Sequence, residues 1–359
     1  MPRPTAHRTP FGSAPGNAEA DLWTLDSGTG VRAEVLTYGG VLHRLTVPDT
    51  HGRNRQIVRS LSTMDEYAKD HPYFGALVGR YANRIAHGTF ALDGTTHEIP
   101  VNDRGHALHG GPEGFHTRIW EASGREDGDA AFVDLRLHSP DGDMGFPGNL
   151  DVRATYAVDS SGTFSLDCTA TTDRATVVNL TQHAYFNLGD DDILGHTLEV
   201  DADHYLPVDP EGIPEGDPVE VRGTPFDLTA PQVLRERLAL PHEQLASAGG
   251  FDHCWVLRDE APGADGLRRA ARLTAPDASR VMEVWTTEPG IQIYTGNLLD
   301  GTFTDGEGRV QDRHGAVCLE TQHLPDSPNH AGYPTTVLRP GQTLRTRTEW
   351  RFPHLGTGR

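Results

Sequence analysis

Residues 163–172 read Thr163-Phe164-Ser165-Leu166-Asp167-Cys168-Thr169-Ala170-Thr171-Thr172, and residues 344–352 read Leu344-Arg345-Thr346-Arg347-Thr348-Glu349-Trp350-Arg351-Phe352. In the first, Phe164, Leu166, Cys168 and Ala170 alternate with polar or small neighbours. In the second, Leu344, Thr346, Thr348, Trp350 and Phe352 alternate with Arg345, Arg347, Glu349 and Arg351. Successive side chains of a strand point to opposite faces, so this period of two predicts strands with one buried and one wet face. The same alternation recurs over residues 31–47, 131–137, 151–158, 196–208, 281–287 and 291–297. Residues 90–99 predict a hairpin whose tight turn is Asp93-Gly94. Helical spacing is confined to residues 231–240, with Thr229 as N-cap, and to residues 63–69. Strands that do not alternate with helices of crossover length disfavour a parallel α/β sheet. The fold class is therefore all-β, a large and mostly antiparallel β-sandwich with a few short helices. Without a fixed-period repeat or a break in composition, residues 19–359 are expected to form a single domain, and residues 1–18 a loose polar lead-in.

Composition narrows the function. The 359 residues carry 31 Lys plus Arg against 51 Asp plus Glu, a formal charge of −20. Phosphate-backbone recognition needs clustered positive charge, so nucleic acid is excluded as a partner. The single lysine, Lys69, rules out a phosphate loop of the Gly-Lys-Ser/Thr type. With 40 Gly and 25 Pro beside 36% hydrophobic residues, many short strands joined by turns are favoured over long helices. Cys168, Cys254 and Cys318 form no CxxC pair and leave an odd count, which fits reduced thiols in a cytoplasmic protein. No signal peptide and no run of 18 apolar residues is present, so export and membrane spanning are not expected.

Familiar site motifs fail one by one. Gly28-Thr29-Gly30-Val31-Arg32-Ala33 has the GxGxxA spacing, but a strand-like run follows where a dinucleotide site requires a helix, so it reads as a turn between strands. Asp190-Asp191-Asp192 lacks the spaced oxygens of a calcium loop. Among 19 histidines there is no HExxH, and no GxSxG supplies a serine nucleophile. What remains is polar residues set at apolar or glycine-rich strand ends: His109 in Leu108-His109-Gly110-Gly111, His183 in a strand-compatible stretch, Asp252 before an apolar strand and Glu320 after Ala316-Val317-Cys318-Leu319. The two glycines after His109 are expected to let backbone approach a ligand, as is Gly296. Two histidines and two carboxylates, with Arg84, Asn83 and Gln292, point to acid–base chemistry on a neutral polyhydroxylated ligand.

These segments resemble the aldose 1-epimerase, or galactose mutarotase, family over roughly residues 11–352. The resemblance rests on Tyr73-Phe74-Gly75-Ala76-Leu77-Val78-Gly79-Arg80-Tyr81-Ala82-Asn83-Arg84-Ile85, Leu108-His109-Gly110-Gly111, His183-Ala184-Tyr185-Phe186-Asn187-Leu188 and Gly250-Phe251-Asp252-His253. Glu320-Thr321-Gln322 with Pro325-Asp326-Ser327-Pro328-Asn329-His330 completes it. It implies a galactose mutarotase-like supersandwich with a sugar cleft on one sheet, interconverting α and β anomers of free aldohexoses such as glucose and galactose without metal or cofactor. By the same resemblance Glu320 is the general base, His183 the general acid and His109 a second active-site histidine. Asn83, Arg84, Asp252 and Gln292 hold sugar hydroxyls, and Tyr185, Phe251 or Tyr294 supplies an aromatic face. Acid and base are expected on opposite sides of the ring, with the Glu320 carboxylate favouring charge on nearby imidazoles. His106 replaces the asparagine usual before Leu-His-Gly-Gly, which is expected to change the support of that loop. Cys254-Trp255 and a short loop after Leu188 also depart from the family. A monomer or homodimer acting on a monosaccharide is expected. The alternatives are a hexose-6-phosphate mutarotase, a non-catalytic sugar sensor, and a metal enzyme using His109, His183 and Glu320.

Overall fold

The computed structural model describes residues 3–189, 191–259, 263 and 265–356. The two quoted stretches are neighbours in one sheet: Phe164–Thr172 pairs antiparallel with Leu344–Arg351, setting Phe164 against Trp350 and Cys168 against Thr346. This sheet has nine strands. Glu121–Asp127, Ala130–Ser139 and Leu150–Asp159 extend it on one side, and Val281–Thr286, Arg268–Thr274, Thr197–Val200 and Gln232–Val233 on the other. A second sheet runs Val219–Glu220, Ala202–Tyr205, Asp252–Leu257, Gly290–Tyr294, Val317–Gln322, Tyr185–Phe186, Val58–Arg59, with antiparallel pairing throughout. A five-stranded sheet, Thr5–Ala14 to Asn54–Gln56, carries the amino-terminal segment.

One large apolar cluster joins the sheets. Leu25 and Val35 enter it from the five-stranded sheet, Tyr156, Leu166 and Trp350 from the nine-stranded one, and Trp255, Ile291, Ile293 and Leu319 from the second sheet. The period of two then decides what faces the other way: Gln292 lies between Ile291 and Ile293, and Glu320 follows Leu319, so polar side chains project from the face opposite the core. Trp350 is 1% exposed and stacks on Phe164 at 5.1 Å. Trp350→Ala should cost roughly 3–5 kcal/mol, read as a lowered urea midpoint, because the ring's volume cannot be refilled by neighbours fixed in a sheet.

Local details differ from expectation in four places. Thr5–Ala14, expected within a loose lead-in, forms an edge strand on Ala18–Asp26 with a bulge at Pro10/Gly12. Half of its side chains are exposed and no apolar alternation announces it, while Phe11 and Ala14 pack inward. The helix expected over 231–240 shrinks to Leu234–Leu238, because Gln232–Val233 pairs with Thr197–Val200; the Thr229 hydroxyl bonds Asp227 instead of capping. The helix expected over 63–69 spans Met64–Tyr67, with a Thr63/Glu66 capping box. An unforeseen helix, Glu243–Ala248, is capped by His242 and by Gly249 at φ 70°. The hairpin forms as read, Thr89–Leu92 against Thr95–Glu98, with Asp93 and Gly94 at φ 50° and 80°. Gly28 and Gly30 sit in the turn between Ala18–Asp26 and Arg32–Leu36. Asp190 lies outside the described residues, while Asp192 turns its carboxylate to the Leu194 amide. Among the described residues no helix is long and apolar enough to cross a membrane.

Candidate active site

Strand register brings the central pair together. Tyr185 pairs with Cys318, so two residues back along one antiparallel strand and two forward along the other set His183 level with Glu320. His183 Nε2 lies 3.7 Å from Glu320 Oε1, and both side chains are buried. The next strand pairs Gln292 with Glu320, and Gln292 Nε2 donates to Asp252 Oδ1 at 2.8 Å. Gln292 Oε1 and Glu320 Oε2 are buried with no hydrogen-bond partner. One wall of the site therefore consists of acceptors in want of donors.

Donors come from the opposite side. The two-residue pairing of Arg84–Ile85 with Ala107–Leu108 carries His109 to Asn83, both with left-handed backbone at φ 52° and 61°. The Asn83 amide donates to His109 Nδ1 at 3.2 Å, and the His109 amide donates to the Asn83 carbonyl at 3.1 Å. Since Nδ1 accepts, the ring proton of neutral His109 sits on Nε2, making it a fixed donor. Asn83 Oδ1 is taken by the Arg84 amide at 2.8 Å, which leaves the Asn83 side-chain amide hydrogens for a ligand. Arg84 itself is held by Asp103, through Nε at 3.0 Å and a terminal nitrogen at 2.9 Å.

These walls form an open cleft of about 430 Å³, whose lining includes Asn83, Arg84, His109, His183, Tyr185, Asp252, Gln292 and Glu320. Burial sets the electrostatics. It pushes the Glu320 carboxyl well above its ordinary range, with the Asp252 charge adding to the shift and Arg84 opposing it. His183 is pushed down to about 4, again chiefly by burial, and His109 well below its usual value. The expectation that Glu320 would favour charged imidazoles is opposed here: burial is the largest influence on all three groups, raising the Glu320 carboxyl and lowering His183 and His109. The His183 and Glu320 side chains are immediate neighbours in this lining.

His109, His183 and Glu320 offer ligand atoms within 4.8 Å of one another, a spacing within reach of a contracted metal site. The tautomer of His109 works against that use, because Nδ1 already accepts from Asn83 and Nε2 carries the proton.

The family model for aldose 1-epimerase matches residues 21–351. The chain belongs to the aldose 1-epimerase family. Within it, the galactose mutarotase of Homo sapiens is 38% identical over 349 residues, covering 96% of this chain and 98% of that protein. The aldose 1-epimerase of Escherichia coli (strain K12) is 36% identical over 343 residues, 94% of this chain and 97% of its own length. Among solved structures, a galactose 1-epimerase from Lactobacillus acidophilus NCFM superposes with a TM-score of 0.85 at 29% identity, covering 97% of this chain and 98% of that one.

Several sequence expectations within this epimerase cleft change on inspection. Of the three aromatic candidates, Tyr185 and Tyr294 line the cleft, whereas Phe251 is fully buried against Trp255 in the core. Gly110, Gly111 and Gly296 do not line it. Gly110, at φ 86°, packs so tightly that a Cβ would lie 2.3 Å from the Gly79 carbonyl oxygen, so glycine serves the loop and not ligand approach. His106 turns away and accepts from the His87 amide at 2.9 Å. Loop support falls to Asn102, which binds the Leu108 amide and carbonyl at 2.7 and 3.1 Å. Sequence reading missed Tyr73, whose ring packs edge-on to His109 at 4.5 Å, and Asp103, the partner of Arg84. Tyr73 opens the family-like stretch 73–85 and was findable there; nothing about Asp103 marked it.

Proposed function

We propose that the chain interconverts the α and β anomers of free aldohexoses, glucose and galactose among them, by acid–base ring opening and reclosure. The observation that carries this reading is the buried His183–Glu320 pair at 3.7 Å, set among unpartnered acceptors in a cleft of this family. Glu320 takes the proton of the anomeric hydroxyl while His183 gives one to the ring oxygen. The C1–O5 bond breaks, the carbonyl forms, rotation about C1–C2 turns the other face, and closure returns both protons. Both reacting oxygens hang on C1, so an acid and a base that are neighbours reach them together. His109, a neutral donor, steadies the negative charge that develops on oxygen. A carboxyl held above its ordinary pKa is a stronger base, and an imidazole held below it a stronger acid when protonated.

His183 and Glu320 share one proton over the interval between the depressed pKa of the first, about 4, and the raised pKa of the second. Neutral pair and ion pair differ only in which atom bears it. Below about pH 4 both carry protons and the base is lost; above the Glu320 pKa the shared proton is gone and the acid is lost. A bell-shaped dependence of kcat/KM on pH, followed by polarimetry of fresh α-D-galactose or α-D-glucose, is the expected result, and a flat profile would contradict paired catalysis. Relaxation at the buffer rate with wild-type protein would contradict the function itself. Activity that survives exhaustive chelation would remove the metal alternative. The reading carries with it a cytoplasmic enzyme, a monomer or homodimer needing no cofactor, in one domain that includes the Thr5–Ala14 strand. Its three free, buried thiols suit a reducing compartment.

A further inference from the structure

Two guanidiniums face the cleft, and one carboxylate holds both. Arg84 and Arg104 line it together with Asp70, Asp103, Asp252 and Glu320. Arg84 meets Asp103 Oδ2 through Nε and a terminal nitrogen, at 3.0 and 2.9 Å, and Arg104 Nε meets the same oxygen at 3.4 Å. Another Arg104 nitrogen donates to the Pro210 carbonyl at 3.1 Å. Among the described residues, Asp103 is the only carboxylate within ion-pair distance of either arginine. A phosphate or carboxylate on a sugar would seek this pair, since guanidinium forks match such anions. Asp103 already occupies the fork and adds a like charge.

We propose that Asp103 is the specificity-determining residue that confines this cleft to uncharged aldoses, by occupying the two guanidiniums that an anionic substituent on the sugar would otherwise bind. The inference rests on the anomer-interconversion reading and deepens it. Asp103 does not touch the reacting atoms; it acts through Arg84 and Arg104. Its backbone bonds, to the carbonyl and amide of His106, do not involve the carboxylate and survive substitution of the side chain.

The test compares wild type with Asp103→Asn and Asp103→Glu on glucose and glucose 6-phosphate, by polarimetry with the spontaneous rate subtracted. The readout is the ratio of kcat/KM for the phosphorylated to the free sugar, which loss of fold or of general activity does not raise. In Asp103→Asn the ratio should rise at least about tenfold, the scale of a hydrogen bond to a charged group, and glucose turnover should become inhibitable by inorganic phosphate. Asp103→Glu, which keeps the charge, should leave the ratio near the wild-type value. An unchanged ratio in Asp103→Asn overturns the proposal. If that variant does not fold, wild type decides: glucose 6-phosphate that competes as tightly as glucose binds would overturn it, and weaker competition supports it. Wild type inactive on glucose would instead overturn the sugar reading itself.

Discussion

Glu320→Gln should lower kcat for galactose mutarotation by about 10²- to 10⁴-fold, the usual worth of a positioned acid or base, with KM nearly unchanged. The amide has the shape of the carboxyl and fills the same buried position beside His183 and Gln292. What it lacks is the ability to take a proton from the anomeric hydroxyl. Because burial already favours the uncharged form of Glu320, an uncharged substitute costs the fold little, and the thermal midpoint should stay close to wild type. A retained midpoint with lost kcat separates chemistry from folding. Rates like those of wild type would remove Glu320 from the mechanism.

His183→Ala should cost a similar factor in kcat, about 10²- to 10⁴-fold, for a different reason. The ring is buried between Tyr185 at 5.1 Å and His109 at 5.2 Å, with Tyr73 at 5.8 Å, and its removal opens a space the size of an imidazole. Added imidazole should occupy that space and restore part of the rate, with a pH dependence following the free base and its conjugate acid. The variant is also expected to lose stability, as large-to-small changes at packed positions do, by roughly 2–4 kcal/mol. Activity equal to wild type without imidazole would show that the proton reaching the ring oxygen comes from elsewhere.

The long strands were legible because their alternation is regular. Phe164, Leu166 and Trp350 are in the core as the period of two requires, while Arg345 and Arg347 face outward. Where alternation is absent the signal disappears: Thr5–Ala14 pairs over ten residues without an apolar face of period two, and Gln232–Val233 is two residues held by a neighbour distant in sequence. The gathering of these eight residues around one cleft was legible because polar side chains between apolar neighbours are costly unless they have partners or work, and because their motifs match a family. Their protonation was not. A sequence places a carboxylate near an imidazole, but the depth of burial, here the largest influence on both groups, belongs to the packed structure. Asp103 was invisible for a similar reason. An exposed-looking Asn-Asp-Arg stretch gives no sign that one carboxylate will bridge two cleft arginines.

The central claim is that His183 and Glu320 act as one unit, and the double variant tests it most directly. Initial rates of α-D-galactose mutarotation would be measured for wild type, Glu320→Gln, His183→Ala and the two combined. If each proton transfer is useless without the other, the double variant should fall no further than about threefold below the worse single variant, as groups acting together are strongly non-additive. Losses that multiply would mean that the two residues contribute independently, and would contradict the account.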